Sequence, residues 1–169
     1  SFEIEFRMRH KDGHYVDILS RGHLVRDETG RPKRFTGTHV DISERKRFEE
    51  ELRKISRAVE QSPSAVIITD AEAIIEYVNP KFTEITGYDP QDVIGETPRI
   101  LKSGETPAAQ YENLWKEIST GLEWRGVFHN RRKDGTLYWG EAVISPIKNA
   151  DGTLTHFICV QKDISEQLE

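Results

Sequence analysis

The residues best suited to chemistry lie in EWRGVFHNRRKDGTLYWGEAVISPI, positions 123 to 147. Trp124, Gly126, Phe128 and Asn130 stand at alternate positions, so on a strand they share one face. Two aromatic rings, a glycine and a carboxamide on one face can hold a small flat molecule: apolar walls bury it, and a few placed polar groups orient it. A carboxamide suits that task because it carries both a carbonyl acceptor and an NH2 donor. In HFICVQKD, Gln161 likewise shares a face with Cys159. Each position also has a purely structural reading. Asn130 can close the hairpin by bonding to backbone, Gln161 can sit exposed on an edge, and Trp124 and Trp115 can be plain core. His129 has the opposite parity to Asn130 and is expected in solvent. Trp139, opposite in parity to Tyr138, is expected against a partner or a neighbouring helix.

The rest of the chain narrows the classes of function. Of 169 residues, 36% are hydrophobic and 31% charged, and the net charge is −5. This composition predicts a soluble protein with a highly charged surface. It lacks the basic footprint of a nucleic-acid binder. Arg131-Arg132-Lys133 and Arg45-Lys46-Arg47 read as solvated positions. No run reaches the ~18 apolar residues of a membrane helix, and no signal peptide is seen, so no membrane contact is expected. One cysteine, Cys159, provides neither a disulfide framework nor a multi-cysteine metal site, and a reducing, cytoplasmic setting is expected. The chain has no G-x-S-x-G, Walker or H-E-x-x-H motif and no clustered Cys/His set, so this fragment is not expected to be an enzyme. Asp70 and Glu72 bracket a turn, where such residues are common.

The elements that position these residues follow from a repeat. KDG occurs at 11–13 and 133–135, and DISE at 41–44 and 163–166. The differences 133 − 11 and 163 − 41 both equal 122, so the copies align without a gap. Phe6, Arg9, Gly30 and Phe35 match Phe128, Arg131, Gly152 and Phe157 at the same offset. Residues 1–44 are therefore expected to be the C-terminal half of one module, and 61–166 a complete second copy. Residues 45–60 form a linker helix, and 167–169 start an exit helix. Asp41 and Glu44 have capping-box spacing. Phe48, Leu52, Ile55 and Val59 form an a/d stripe that either pairs as a coiled coil or lies on its own domain. The complete copy reads as strands at 64–70 and 74–78, then a helix opened by Pro80 and stopped by Gly87. Short helices follow at 90–102, and a longer one runs from Pro107 to Gly121. Strands at 123–132, 137–148 and 154–162 finish it, with Asp134-Gly135 and Asp151-Gly152 as turns. The fold class is α+β: a five-stranded antiparallel sheet with short helices on one face, preceded by a partial strand set and a linker helix.

VNPKFTEITGYDPQDVIG, RRKDG, the long strand ending in SPI, and DISE together resemble a PAS domain with its PAC extension. The resemblance covers 60–166 nearly completely, and 1–44 as a truncated second PAS domain. It implies a sensor and dimerisation module of a multidomain signalling protein. Such modules form homodimers through linker and exit helices and act on their own output domain, here a histidine kinase or a cyclic-dinucleotide enzyme. Three PAS subfamilies bear on the ligand. Light-sensing LOV domains carry a cysteine in G-x-N-C-R-F-L-Q; here Gly95 to Lys102 reads GETPRILK, with Pro98 in the cysteine's place, so no photoadduct is expected. Haem-binding PAS domains need a histidine on the long helix, and 107–120 has none. The FAD-binding PAS domains of the nitrogen-fixation redox regulator and the aerotaxis receptor resemble this chain closely. The match runs through Thr106-Pro107, Tyr111, Leu114-Trp115, Gly121, Trp124, Gly126, Asn130-Arg131-Arg132-Lys133-Asp134-Gly135 and Tyr138.

The resemblance therefore implies a flavin, FAD rather than FMN, with no haem and no metal. Asn130, Trp124 and Phe128 are then expected around the ring. Gln161 stands where LOV domains place their flavin-sensing glutamine. Arg99 matches the arginine near the phosphate tail, where a guanidinium suits phosphate by bidentate geometry; its alternative is to pair with a nearby carboxylate. Gly140 replaces a second asparagine of LOV domains, so one contact is lost and space is gained. The first copy is a control: at offset 122, Asn130 becomes Met8, Gln161 becomes His39 and Trp124 becomes Phe2. The polar positions are thus not simply what the fold requires. A ligand-free dimerisation and relay module, its cavity filled by its own side chains, is the alternative to the flavin sensor.

Overall fold

Alternating apolar residues and two tight turns build the start of the chain. β1 (Phe2–Arg9), β2 (Tyr15–Arg26) and β3 (Pro32–Asp41) form an antiparallel sheet in that order. Its turns place Gly13 at φ 98° and Gly30 at φ 81°, in the left-handed region that glycine enters without a Cβ clash. The Asp41 carboxylate accepts the Ser43 N–H at 2.9 Å and opens α1 (Ser43–Glu60). The Ser43 hydroxyl in turn accepts the Asp17 N–H at 2.9 Å. Phe48, Leu52 and Ile55 are exposed on α1, as are Phe2, Ile4, Phe6 and Met8 on β1. The computed structural model describes residues 1–168, in two compact units that divide between Ser56 and Arg57.

The second unit contains β4 (Ala65–Asp70), β5 (Ile75–Val78), α2 (Pro80–Thr86), α3 (Pro90–Val93), a 3-10 turn (Pro98–Leu101) and α4 (Ala108–Ser119). They are followed by β6 (Trp124–Arg131), β7 (Leu137–Lys148), β8 (Leu154–Asp163) and α5 (Ser165–Leu168). The five strands are antiparallel in the order β5-β4-β8-β7-β6. The last strand thus runs through the middle of the sheet, next to the strand that opens it. Pro107 precedes α4 rather than starting it. The exit helix begins at Ser165, two residues before the expected 167, because the Asp163 carboxylate accepts the Ser165 N–H at 2.9 Å. Glu169 lies outside the described residues.

Asn79 pins the entry to this unit. Its carbonyl oxygen accepts the N–H groups of Val66, at 2.8 Å, and Phe82, at 3.1 Å; its NH2 donates to Val59 and Ser64 carbonyls, each at 3.0 Å. One buried side chain therefore caps α2 and ties it to β4. Two apolar clusters fill the interior. Ala65, Ile67, Ile75, Phe82, Val93, Leu101 and Tyr138 form one; Leu114, Ile118, Trp124, Phe128, Ala142 and Phe157 form the other. Each large side chain buried this way contributes about 1.5–3 kcal/mol. β6 is an edge strand, and the α4 segment covers it: Gln110 Nε2 donates to the Val127 carbonyl at 2.8 Å, and Thr106 Oγ1 accepts the His129 N–H at 2.9 Å. No helix among the described residues is long and apolar enough to cross a membrane.

Candidate functional site

The α4 segment arches over the sheet without filling the space beneath it. A cavity of about 340 Å³ remains, walled by Tyr111, Trp115, Phe128 and Phe157, with Asn130, Cys159 and Gln161 on the sheet side. Arg99, Lys102 and Glu72 also line it. Tyr111 and Phe128 stack with centroids 5.6 Å apart, and Trp115 meets Phe157 edge-on at 6.2 Å. Lys102 Nζ lies 3.6 Å from the centroid of the Tyr111 ring, so a cation and an aromatic wall meet at the cavity.

Strand register brings the polar groups together. Across the β6–β7 hairpin, Asn130 opposes Tyr138. Gln161, on β8, lies between Ala65 on β4 and Ala142 on β7. Asn130 is 5% exposed, Gln161 2% and Tyr138 1%. The Tyr138 hydroxyl donates to Gln161 Oε1 at 3.0 Å and accepts from Asn130 Nδ2 at 3.4 Å. Burial raises the phenol's pKa, so Tyr138 remains a neutral donor. Gln161 Nε2 and Asn130 Oδ1 have no hydrogen-bond partner among the described residues. Among the described residues, no fully buried side-chain nitrogen or oxygen is left unpaired. These two atoms are therefore reached from the cavity that both residues line. Gly140 explains why Gln161 fits: a Cβ there would lie 2.5 Å from Gln161 Nε2. The space that the glycine frees is taken by the glutamine.

A second layer leads away from the cavity. The Arg132 guanidinium lies 4.7 Å from the Tyr138 ring centroid. It donates to the Ile85 carbonyl at 2.7 Å and to Asp163 Oδ2 at 2.6 Å. Asp163 Oδ1 accepts from the Ser165 N–H and hydroxyl, and Ser165 Oγ accepts the Trp139 N–H at 2.9 Å. Burial of Asp163 opposes ionisation, but the bonds from Ser165 and the Arg132 guanidinium prevail and hold its carboxyl below the usual range. Asp163 thus caps α5 and holds Arg132 at once. Gln161, Tyr138, Arg132 and Asp163 form a continuous chain of contacts from the cavity to α5.

Of the five residues singled out from sequence, the structure brings Asn130, Gln161, Phe128 and Arg99 to one cavity. Arg99 is exposed at its edge and forms no ion pair among the described residues. Trp124 does not line the cavity. It is buried behind Phe128, with ring centroids 5.0 Å apart, and its Nε1 donates to Asn113 at 3.0 Å. Parity gave its face correctly, but depth along the strand puts it in the core. Trp139 stacks on His129 at 4.1 Å on the other side of the strand pair. Sequence reasoning missed Tyr138 and Lys102 as site residues. The Asp134-Gly135 turn already paired 130 with 138; the Tyr138–Gln161 bond also needs the β7–β8 register.

The fold and cavity define an α+β module with an aromatic-walled cavity against its sheet, and comparison with known proteins identifies the family. The PAS domain family matches residues 63–166, and the PAS fold family matches residues 1–39. The chain belongs to the PAS domain family. It is 40% identical over 107 residues to a nitrogen fixation regulatory protein of Klebsiella oxytoca, covering 63% of this chain and 22% of that protein. It is similar to a light-oxygen-voltage domain studied with a flavin analogue (26% identity, TM-score 0.62, 68% of this chain and 87% of that one). It is also similar to the LOV domain of a blue-light activated histidine kinase from Erythrobacter litoralis (28% identity, TM-score 0.58, 62% and 99%). The chain spans about a fifth of the length of the nitrogen fixation regulatory protein. It is a PAS sensory module of the kind found in signalling proteins.

Proposed function

We propose that residues 61–166 bind a flavin, FAD rather than FMN, and sense redox state or oxygen for a multidomain signalling protein. The observation that carries this reading is the pair of buried carboxamides, Asn130 and Gln161, each with one polar atom open to an aromatic-walled cavity. An isoalloxazine edge presents alternating donors and acceptors, which carboxamides can meet. Arg99 and Lys102 at the same cavity suit a phosphate tail, and two cations suit the two phosphates of FAD. A volume of about 340 Å³ also speaks against a cavity filled by its own side chains.

A bound flavin supplies a ring nitrogen that accepts a hydrogen bond when oxidised and donates one when reduced. Gln161 has its carbonyl on Tyr138 and its NH2 without a protein partner, which suits the oxidised form. To offer its carbonyl instead, its amide must rotate and release Tyr138. Tyr138 packs on Arg132, which holds Asp163, so the change biases the capping of α5. In the whole protein, the exposed stripe of Phe48, Leu52 and Ile55 on α1 pairs with a second copy, and the exit helix passes the change to a histidine kinase or cyclic-dinucleotide output domain.

The test is the visible spectrum of the purified chain. Bands near ~450 nm that bleach with dithionite are expected. Asn130→Ala and Gln161→Ala should lose flavin. Tyr138→Phe should keep it, lose about 1 kcal/mol of stability, and shift the flavin band relative to wild type. A colourless protein that also fails to take up FAD overturns the reading and leaves the ligand-free relay.

A further inference from the structure

We propose that the β1–β2 turn is a binding site for a borderline divalent transition-metal ion such as Zn2+, Ni2+ or Cu2+, held by His10, Asp12 and His14. His10, Asp12 and His14 stand within five residues of the sequence, and the hairpin brings their ligand atoms together. His10 N–H donates to the His14 carbonyl at 2.7 Å, and Gly13 N–H to the His10 carbonyl at 3.0 Å, so the two histidines face each other across the turn. Their rings stack with centroids 4.7 Å apart. Asp12, at the tip, folds back between them: its Oδ1 lies 3.0 Å from His10 Nδ1 and 2.5 Å from His14 Nδ1. All three ligand atoms lie within 4.8 Å of one another.

Both imidazoles aim Nδ1 at one point, and the set is one carboxylate and two nitrogens. Zinc takes such ligands at about 2.0–2.2 Å, which spaces them roughly 3.4 Å apart. The His10–Asp12 spacing of 3.0 Å and the His14–Asp12 spacing of 2.5 Å are tighter by about 0.4 and 0.9 Å, and all three side chains are exposed and free to open on binding an ion. Imidazole donors select Zn, Cu and Ni over the oxygen-seeking Mg and Ca. The second repeat gives an independent argument. At offset 122 the three residues become Arg132, Asp134 and Thr136. Asp134 is kept for the turn, where its carboxylate accepts the Thr136 N–H at 2.9 Å. The turn therefore requires the aspartate and not the imidazoles, and the first repeat alone has the two histidines.

The chain is titrated with ZnCl2 by calorimetry, in excess Mg2+, beside His10→Ala, His14→Ala, Asp12→Asn and the control His23→Ala. One ion per chain is expected for wild type and for the control. Each of the other three variants should bind at least about tenfold more weakly, the lower end of what losing even an outer-sphere partner costs a metal site. In wild type, added Zn2+ should shift the ring NMR signals of His10 and His14 and leave those of His23, His39, His129 and His156 in place, a readout that needs no variant to fold. Absence of binding, equal affinity in all five proteins, or shifts spread over all six histidines overturns the proposal.

Discussion

Asp41 and Asp163 stand 122 residues apart and make the same helix-opening contact, each within its own unit; among the described residues, Asp163 alone adds an ion pair, with Arg132. Each accepts the N–H of the serine two residues on, Ser43 or Ser165. Each of those serines accepts an N–H from the strand before the last of its unit, of Asp17 on β2 or of Trp139 on β7. The register agrees as well: Met8 opposes Val16 as Asn130 opposes Tyr138, and Ser20 opposes His39 as Ala142 opposes Gln161. The two repeats therefore share backbone geometry and exit, and differ in what fills the inner face. Where the second has Asn130, Tyr138, Gly140 and Gln161, the first has Met8, Val16, Ile18 and His39. The exit belongs to the fold; the carboxamide chemistry belongs to one copy.

The largest effect should come from a residue with no counterpart in 1–44. Asn79→Ala leaves the buried N–H groups of Val66 and Phe82 without their side-chain acceptor, at a cost of roughly 3–5 kcal/mol. Trp115, Trp124 and Trp139 all lie in the second unit, so fluorescence-detected denaturation reads its stability. A midpoint like wild type would show that Asn79 does not hold the unit together. A smaller effect is expected at Gly140, where the first repeat tolerates Ile18 because no glutamine faces it. Gly140→Ala should cost about 1–3 kcal/mol by crowding Gln161. Adding Gln161→Ala should recover most of that loss; if the double variant is no better, the glycine is not there for Gln161. The smallest effect is with pH. Asp41 and Asp163 both ionise more readily than usual, Asp41 through its bonds to Ser43, and Asp163 through those to Ser165 and Arg132, which outweigh its burial. Their stabilisation is present above the unfolded carboxylate pKa of about 4 and is lost as pH falls through the lower folded values. Acid titration by circular dichroism should show α1 and α5 losing helicity together in that window, and Asp163→Asn should remove only the α5 part.

Much of this was legible because it is local. The glycine turns, the helix opened by Pro80 and the alternation on β6 are written in neighbouring residues, and the turns at Asp134-Gly135 and Asp151-Gly152 set the last three strands antiparallel. Asn130 and Gln161 could be assigned to faces by parity and to a role by resemblance. What escaped depends on register between distant strands or on depth. The Tyr138–Gln161 bond spans two strands, the Arg132–Asp163 pair joins residues 31 positions apart, and Trp124 shares a face with Phe128 yet lies beyond the cavity. His10 and His14 meet only because the chain reverses between them.

Cys159 carries one further consequence. It lines the cavity, where the first repeat has Gly37, and burial pushes its thiol up to about 12. Burial thus disfavours the thiolate, the form that reacts with peroxides and electrophiles. Alkylating reagents should therefore label native Cys159 far more slowly than the unfolded chain.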